Sequence, residues 1–244
     1  MKKIGVFTDT HGNFLALKVM LDYFEKEGCD EILHLGDIID IGPHSKQCFD
    51  IITQHPKITC VLGNHDRNFV MSNPISPPLS HVPTEHKVQV FATLTEADRQ
   101  IAEQFPLYVT RKCGGQTLLF CHYPFLWKYA NNYFENEPYM FIEQNQTAEN
   151  FDKMMHDYDG IDAVFFGHKH ERADAVGKRT YVNVGSLGCH PGAFAQGVVI
   201  EYDDNSWTYR RVELDYDMEQ TRQDMQSVAC GEHLYNFYFL RKKP

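Results

Sequence analysis

Asp, His and Asn side chains occur in five short groups along the chain, and each group directly follows an apolar stretch. The groups are Asp9-Thr10-His11, Gly36-Asp37-Ile38-Ile39-Asp40, Gly63-Asn64-His65-Asp66, His122 and Gly167-His168-Lys169-His170. Carboxylate, imidazole and amide ligands without thiolates favour metals such as Mn, Fe or Zn over a structural zinc site built from cysteines. Seven or more such ligands are too many for one ion and suit two. Two ions ~3.5–4 Å apart can hold a phosphoryl group and activate a water for in-line attack.

The apolar stretches before these groups predict five buried strands. The strands span 4–8, 31–35, 58–62, 117–121 and 163–166. Strands alternate with helices in the first third of the chain, which predicts βαβ units and a parallel sheet. Ligand sites in open α/β sheets lie beyond the carboxyl ends of the strands, so we expect the five groups to meet at one edge.

The remaining elements are predicted from caps, turns and periodicity. Helices are expected from Asn13 to Gly28, over 45–54, from the Thr95–Asp98 capping box to about Phe105, over 147–158, and over 217–229 with Gly231 ending the last. Further strands are expected at 107–113, 174–176, 179–184, 197–202 and 206–213, and a proline-rich loop at 73–83. No segment has the composition of an interdomain linker. Residues 1–244 are therefore predicted to form a single domain with an aromatic-rich insert at about 123–146.

The motifs DxH, GD, GNHD, a later His and GHxH, in that order, resemble those of the calcineurin-like metallophosphoesterases. The resemblance extends from Asp9 to about Ser186. It implies an α/β fold that is a four-layer α/β/β/α sandwich of two mixed β-sheets flanked by helices. The hairpins after Asp174 would then belong to the second sheet.

The resemblance also implies a role for each motif residue. Asp9, His11 and His170 would bind a first metal, Asn64, His122 and His168 a second, and Asp37 would bridge the two. The cofactors would be two divalent or trivalent transition-metal ions, Mn and/or Fe first, with Zn, Ni or Co as alternatives. A metal-bridging hydroxide would attack the phosphorus. His65 would act as general acid, with Asp40 orienting its ring.

Two further segments resemble a bacterial and archaeal subgroup of this family that includes phosphodiesterases and diadenosine tetraphosphate hydrolases. Gly36–Cys48 carries the GDxxxxGP pattern, and Asn183–Ser186 carries the NxGS turn. Relatives often continue this turn with Gly-Gln-Pro-Arg, whereas here Gly188 is followed by Cys189-His190-Pro191. The arginine is absent, and His190 is a candidate replacement for its phosphate contact.

Other substrate contacts are open to two interpretations each. Arg67 follows the GNHD motif and could neutralise a substrate phosphate or form a surface ion pair. Residues 123–141 contain eight aromatic residues in nineteen, including Tyr123 and Trp127. They could form a wall on which a nucleobase stacks, or they could pack the insert onto the body of the protein.

Composition restricts the partners. The chain has 23 basic and 33 acidic residues, a net charge of −10, which disfavours broad nucleic-acid binding. Seven cysteines without a CxxC pair indicate buried free thiols in a reducing compartment. No signal peptide or membrane-spanning stretch is recognisable, so a cytoplasmic location is predicted, and a homo-oligomer is left open.

The sequence therefore favours a metal-dependent hydrolase acting on a small phosphodiester or a nucleotide, such as a dinucleoside polyphosphate. One alternative is a serine/threonine-type protein phosphatase or a phosphomonoesterase. Another is a non-enzymatic interaction scaffold on the same fold, as in a retromer subunit. The scaffold is disfavoured because every ligand position and the general-acid position are filled.

Overall fold

The computed structural model describes residues 1–73, 82–192 and 194–240. Ten strands run through this part of the chain: β1 (Lys2–Phe7), β2 (Glu31–His34), β3 (Ile58–Cys60), β4 (Tyr108–Cys113), β5 (Gln116–Cys121), β6 (Ala163–Phe166), β7 (Ala173–Val176), β8 (Thr180–Asn183), β9 (Phe194–Tyr202) and β10 (Trp207–Asp215). The same residues form eight α-helices: α1 (Phe14–Lys26), α2 (Ser45–Gln54), α3 (Asn64–Val70), α4 (Thr84–Thr93), α5 (Glu96–Glu103), α6 (Ala148–Met154), α7 (Met218–Asp224) and α8 (Gly231–Leu234).

The strands form two mixed five-stranded sheets. The first has the order β10-β9-β1-β2-β3, and the second has the order β4-β5-β6-β8-β7. In the first sheet β1, β2 and β3 are parallel, while β9 is antiparallel to β1. In the second sheet β5, β6 and β8 are parallel, and β4 and β7 are antiparallel edge strands.

Alternating side chains build three apolar layers, because successive residues of a strand point to opposite faces. Val6 and Leu33 of the first sheet share a buried cluster with Phe120 and Phe165 of the second, which is the core between the sheets. The outer face of the first sheet packs against α1 and α2. The outer face of the second packs against α6 and Tyr158. The resulting order of layers is α/β/β/α, as the family resemblance implied.

Two predictions about the sheets are wrong. The last hairpin, β9–β10, extends the first sheet through the β1–β9 pairing, so only β7–β8 lies in the second sheet. The five strands that precede the polar groups also do not share one sheet edge. β1, β2 and β3 belong to the first sheet and β5 and β6 to the second, so their carboxyl ends meet across the sandwich.

The helix predictions hold for α1, α2 and α5, where the Asn13 cap and the Thr95–Asp98 capping box are formed. The C-terminal prediction is wrong in its end point: α7 stops at Asp224, and Gly231 begins α8 instead of ending a helix. The helices α3 and α4 were not predicted. The loop expected over 73–83 lies for most of its length outside the described residues.

The insert of about 123–146 contains a 3₁₀ turn, Trp127–Tyr129, and a bridge between Phe125 and Tyr139. That the whole chain forms one domain stays a prediction. Six of the seven cysteines are buried and reduced, as expected, while Cys230 is exposed. Within the described ranges, no helix has both the length and the apolar composition needed to cross a bilayer.

Candidate metal centre

The polar groups that follow the strands occupy unusual backbone conformations. Nine described residues other than glycine have a positive φ, and six of them belong to the predicted site: Asp9, His11, Asp37, Asp40, His168 and His170. A positive φ costs free energy for a residue with a Cβ and persists where the surroundings impose it, most often at functional sites. The loops are therefore held in conformations that aim these side chains inward.

The loops approach each other so closely that one glycine is indispensable. A Cβ on Gly63 would lie 2.1 Å from the Asp37 amide nitrogen, so only glycine lets β3 end beside the Asp37 loop. Directly after it, Asn64 and His65 form the first turn of α3. The Asp66 carboxylate caps this turn and also accepts hydrogen bonds from the Asp37 and Ile38 amides. The start of α3 thus fixes two of the polar groups relative to each other.

The first cluster consists of Asp9, His11 and His170. His11 Nε2 lies 3.0 Å from His170 Nε2, and Asp9 Oδ1 lies 3.1 Å from the same His170 atom. The other Asp9 oxygen accepts hydrogen bonds from the Thr8 hydroxyl and the His168 amide. Asp9 Oδ1 is buried and has no hydrogen-bond partner.

The second cluster consists of Asn64, His122 and His168. His122 Nε2 lies 2.9 Å from Asn64 Oδ1 and 3.1 Å from His168 Nδ1. Asp37 lies between the two clusters, with Oδ2 3.3 Å from His122 Nε2 and 3.7 Å from His11 Nε2. All seven residues predicted as metal ligands are therefore brought together, four on the first sheet's loops and three on the second's.

The chemistry of these atoms fits a pair of cations. His11 Nδ1 faces the Ile39 carbonyl and His122 Nδ1 faces the Leu35 carbonyl, so each Nδ1 carries the proton and donates it. The Nε2 atoms then face further metal-binding atoms, namely Asp37 Oδ2, Asn64 Oδ1 and the nitrogens of the neighbouring imidazoles. Acceptors converge in this way around a metal ion, and backbone carbonyls that fix the tautomer are typical partners of metal-binding histidines.

The charges of the buried groups lead to the same conclusion. Burial by itself would lower the pKa of His122, but the Asp37 and Asp9 carboxylates outweigh it and raise that pKa to about 9. Burial lowers the pKa of His168 to about 3 and also lowers the pKa of His11. The Asp9 and Asp37 carboxylates thus favour positive charge between them. The His11 and His168 imidazoles stay neutral and able to bind a metal.

His65 lies beside the clusters, with a ring nitrogen within 4.8 Å of ligand atoms of His11 and Asp37. Its Nδ1 lies 2.6 Å from Asp40 Oδ2, and its Nε2 lies 3.9 Å from Asp37 Oδ2. Burial opposes the charged form, but Asp37 and Asp40 together raise the pKa of His65. The ring is thus held by one nitrogen and favours the protonated state, which is what a general acid requires.

Comparison with known proteins decides the family. The model of the calcineurin-like phosphoesterase superfamily domain matches residues 1–205, which include every residue of both clusters. The chain belongs to this superfamily.

One protein of similar sequence and two solved structures match nearly the whole chain. An uncharacterized protein of Methanocaldococcus jannaschii is 21% identical over 262 residues, covering 97% of both chains. The crystal structure of a hypothetical protein from Pyrococcus horikoshii OT3 has a TM-score of 0.74 at 16% identity and covers 100% of both chains. A metallophosphoesterase from Sphaerobacter thermophilus has a TM-score of 0.65 at 22% identity, covering 92% of this chain and 93% of its own.

The structure gives Arg67 a role within the phosphoesterase that neither sequence interpretation anticipated. Its guanidinium donates to the Tyr133 carbonyl (2.7 Å), the Asn136 carbonyl (2.9 Å) and Glu137 Oε2 (3.1 Å). Arg67 is buried, and these three hydrogen bonds tie the insert to α3. Of the two interpretations, the ion pair is formed, with Glu137, but Arg67 itself is buried and its guanidinium is not a free cation facing a substrate.

The aromatic residues of the insert divide into packed and exposed ones. Trp127 packs against Tyr108, Phe125 and Tyr158 on the outer face of the second sheet. Tyr123 is buried with its ring 5.0 Å from that of His168, and its hydroxyl accepts a hydrogen bond from the Glu143 amide. Of these two candidate contacts, Tyr123 therefore packs beside a predicted metal ligand, and Trp127 packs the insert onto the body of the protein.

Phe141 is the opposite case, because its side chain is 99% exposed. The segment after it is bonded to residues that neighbour the second cluster: the Glu143 amide donates to the Tyr123 hydroxyl, and the Gln144 carbonyl accepts from Lys169. The Phe141 ring is thus exposed to solvent. It lies two residues before Glu143, which contacts Tyr123, the residue whose ring packs against His168.

His190 is placed against Gln196. With the Gln196 amide oriented to satisfy its neighbours, its oxygen accepts from His190 Nε2 (3.1 Å) and from Arg172. The preceding residue, Cys189, lies beside the first cluster. Its thiol and the ring nitrogens of His11 and His170 all lie within 4.8 Å of one another.

One residue of the site was missed from the sequence. His86 of α4 is fully buried, with Nε2 3.3 Å from Asp40 Oδ1 and Nδ1 3.1 Å from the Ala229 carbonyl. Asp40 therefore lies between two histidines. No local pattern marks His86, because it reaches Asp40 from a helix 46 residues further along the chain. The start of α3, by contrast, had a local signal, because Asp66 stands three residues after Gly63 and its carboxylate accepts from the Gly63 amide.

Proposed function

We propose that this protein is a two-metal phosphoesterase that hydrolyses a phosphodiester or nucleotide-type substrate. Asp9, His11 and His170 hold one ion in this proposal, Asn64, His122 and His168 hold the other, and Asp37 contacts both. The observation that carries it is the convergence of imidazole nitrogens and carboxylate oxygens on two adjacent points, with His65, whose pKa is raised by Asp37 and Asp40, beside them.

Asp40 and His65 have separate roles in the proposed reaction. Bound metal ions would polarise the phosphoryl group and lower the pKa of a water molecule. The Asp40 carboxylate holds the His65 ring by Nδ1, which leaves the proton on Nε2 for the leaving-group oxygen. Because His65 is 12% exposed, the ring reaches the cleft while its hydrogen bond to Asp40 stays shielded from water.

A preference for diesters over monoesters follows from Arg67. A phosphomonoester carries a second negative charge, and an arginine that binds it in a bidentate way is a common solution. The arginine nearest the Asn64–His65 turn has its guanidinium engaged by three acceptors of the insert. A substrate with one negative charge on the reacting phosphate suits this arrangement better.

A nucleotide-type substrate is supported by Phe141. Its ring is exposed to solvent two residues before Glu143, which is bonded to the Tyr123 hydroxyl beside His168, and in this proposal the organic part of a diester extends toward it. Aromatic faces stack on nucleobases without needing base-specific hydrogen bonds, at ~1–3 kcal/mol per base.

The test is a turnover panel on protein loaded with Mn²⁺, Fe²⁺, Co²⁺, Ni²⁺ or Zn²⁺. It compares a bis-aryl phosphodiester, an aryl phosphomonoester, cyclic nucleotides and dinucleoside polyphosphates at equal concentration. We expect the diesters and dinucleotides to have kcat/KM values well above that of the monoester. His65→Ala is measured in parallel, since a contaminating phosphatase would not respond to it. Hydrolysis of the monoester alone, or no hydrolysis with any metal, would contradict the proposal.

A further inference from the structure

The thiol of Cys189 lies beside the first cluster, where the sequence had predicted a site without sulfur. Ligand atoms around one zinc ion stand ~2.0–2.3 Å from the metal, which separates them by roughly 3–4.5 Å from each other. The Cys189 sulfur and the ring nitrogens of His11 and His170 are mutually within 4.8 Å, which is on this scale. The thiol thus lies within coordinating reach of the metal position assigned to Asp9, His11 and His170.

The backbone holds Cys189 in this place. The Leu187 amide donates to the Thr8 carbonyl (2.9 Å), and the Gly188 amide donates to the Asp9 carbonyl (3.0 Å). A Cβ on Gly188 would lie 2.0 Å from the Thr10 carbonyl oxygen, so glycine is required for this close approach. The turn that carries the thiol is consequently bonded to the same loop that carries two ligands of the first cluster.

The Ser186 hydroxyl strengthens this attachment. It donates to the Asp9 carbonyl (3.1 Å) and accepts from the Cys189 amide (3.0 Å). Asp9 Oδ1, a buried atom of the same cluster, has no hydrogen-bond partner. An unpaired carboxylate oxygen and a buried thiol beside two imidazoles are a donor set that a cation would complete.

The surroundings of the thiol decide which charge it can carry. Cys189 is 2% exposed and packs against Ile41, Leu234 and Phe239 on its other side. Burial, reinforced by Asp9 and Asp37, raises the pKa of the thiol well above its usual value. The thiol therefore has no reason to ionise by itself, and only a nearby cation makes the thiolate favourable.

We propose that Cys189 is a thiolate ligand of the metal ion held by Asp9, His11 and His170, and that this position therefore selects Zn²⁺, Fe²⁺ or Co²⁺ over Mn²⁺. On binding, the S–H bond breaks, the electron pair on sulfur forms the bond to the metal, and the proton leaves to solvent. Thiolate is a soft ligand and favours these ions over the harder Mn²⁺. The inference rests on the metal centre of the proposed function, though not on turnover.

The experiment is a titration of metal-free protein with Co²⁺, followed by near-ultraviolet absorption. Wild type is compared with Cys189→Ala, with Cys189→Ser, and with Cys48→Ala, which removes a fully buried thiol in α2 outside the site. We expect a sulfur-to-cobalt charge-transfer band in wild type and in Cys48→Ala. We expect the band to be absent from both Cys189 variants, while the weaker visible bands of bound Co²⁺ remain.

Proton release gives a second readout. Calorimetric titration in two buffers of different ionisation enthalpy counts the protons lost per Co²⁺ bound, and Cys189→Ser should release one fewer than wild type. In competition with Mn²⁺, the same variant should lose the preference of wild type for Co²⁺.

Absence of the charge-transfer band in cobalt-loaded wild type would overturn the inference whether or not the variants fold. Persistence of the band in folded Cys189→Ser would overturn it as well. Failure of the proposed function looks different, because a band without hydrolysis of any phosphoester leaves the thiolate ligand standing. Hydrolysis without a band removes the thiolate and leaves the phosphoesterase.

Discussion

The two halves of the metal centre are covered by different parts of the chain. Over the second cluster lies the insert, with the Tyr123 ring 5.0 Å from that of His168 and the Tyr139 ring 5.7 Å from that of His122. Over the first cluster lies the C-terminal segment, where the Tyr238 ring is 6.1 Å from that of His170. The family match ends at residue 205, so all predicted ligands and the insert fall within it and the C-terminal cover falls outside.

The two covers are attached to the body of the protein by different contacts. The insert is bonded to the body by Arg67 and by the Tyr139 hydroxyl, which donates to the Leu62 carbonyl (2.6 Å). The C-terminal segment packs on Ile41 and Cys189, and α4 adds hydrogen bonds to it: His86 bonds to the Ala229 carbonyl, and Gln89 bonds to the Ser227 carbonyl and the Ala229 amide. Changes to the shared centre should abolish activity, and changes on either cover should act selectively.

Asp37→Asn should have the largest effect, because Asp37 is the one carboxylate that faces both clusters. The amide removes the negative charge that both ions would share. We expect metal content to fall clearly below about two ions per chain and kcat/KM to fall by more than the ~10–100-fold typical of losing a supporting group. Elemental analysis and turnover measure this, with the exposed Asp22→Asn as control. Full metal content in Asp37→Asn would refute the shared-ligand assignment.

His65→Ala should be next, and it separates chemistry from metal binding. Loss of a positioned acid lowers kcat by ~10²–10⁴-fold, while metal content should stay at the wild-type value because His65 belongs to neither cluster. Substrates with very good leaving groups need little protonation and should lose least. The exposed His156→Ala controls for removal of a histidine. If His65→Ala releases a metal ion, the assignment of the general acid is wrong.

His86→Ala should have an intermediate effect on kcat. His86 lies in α4, where its other ring nitrogen faces the Ala229 carbonyl of the C-terminal segment. His86 contacts Asp40, not the clusters, so we expect kcat to fall by less than the ~10²–10⁴-fold of removing the acid, with KM and metal content retained. If His86 acts through Asp40, the double variant Asp40→Asn/His86→Ala should be no slower than Asp40→Asn alone. Additive losses, or a loss in KM only, would show that His86 acts elsewhere.

Phe141→Ala should have the smallest effect and the most selective one. Removing one stacking ring, at ~1–3 kcal/mol per base, should raise KM for a dinucleoside polyphosphate roughly fivefold or more. A small aliphatic phosphodiester should be turned over as by wild type. The melting temperature should not change, because the side chain is 99% exposed. The neighbouring Ile142→Ala is the matched control.

Equal KM changes on both substrates, or a lower melting temperature, would indicate that Phe141 packs against another surface instead of a substrate. A change in KM confined to the dinucleotide would sharpen the contrast, since the insert would then hold the substrate while the C-terminal cover packs beside His170.

The residues of the centre could be predicted because the signal is local. Each group follows its own apolar strand, and the side-chain types already specify acceptors for a metal, so Asp9, Asp37 and His122 needed no long-range information. The same holds for α1 and α5, whose caps lie within three residues of the helix start.

The tertiary structure alone decided the rest, because the relevant contacts join distant segments. Periodicity shows that β9 and β10 are strands but not which sheet edge they pair with, and that choice depends on hydrogen bonds to β1. Arg67 was open to two interpretations, a substrate contact or an ion pair, until the fold brought the acceptors of the insert to it. His86 and Cys189 reach the centre from α4 and from the turn after Ser186, and only the folded chain brings a buried histidine to Asp40 and a thiol to His11 and His170.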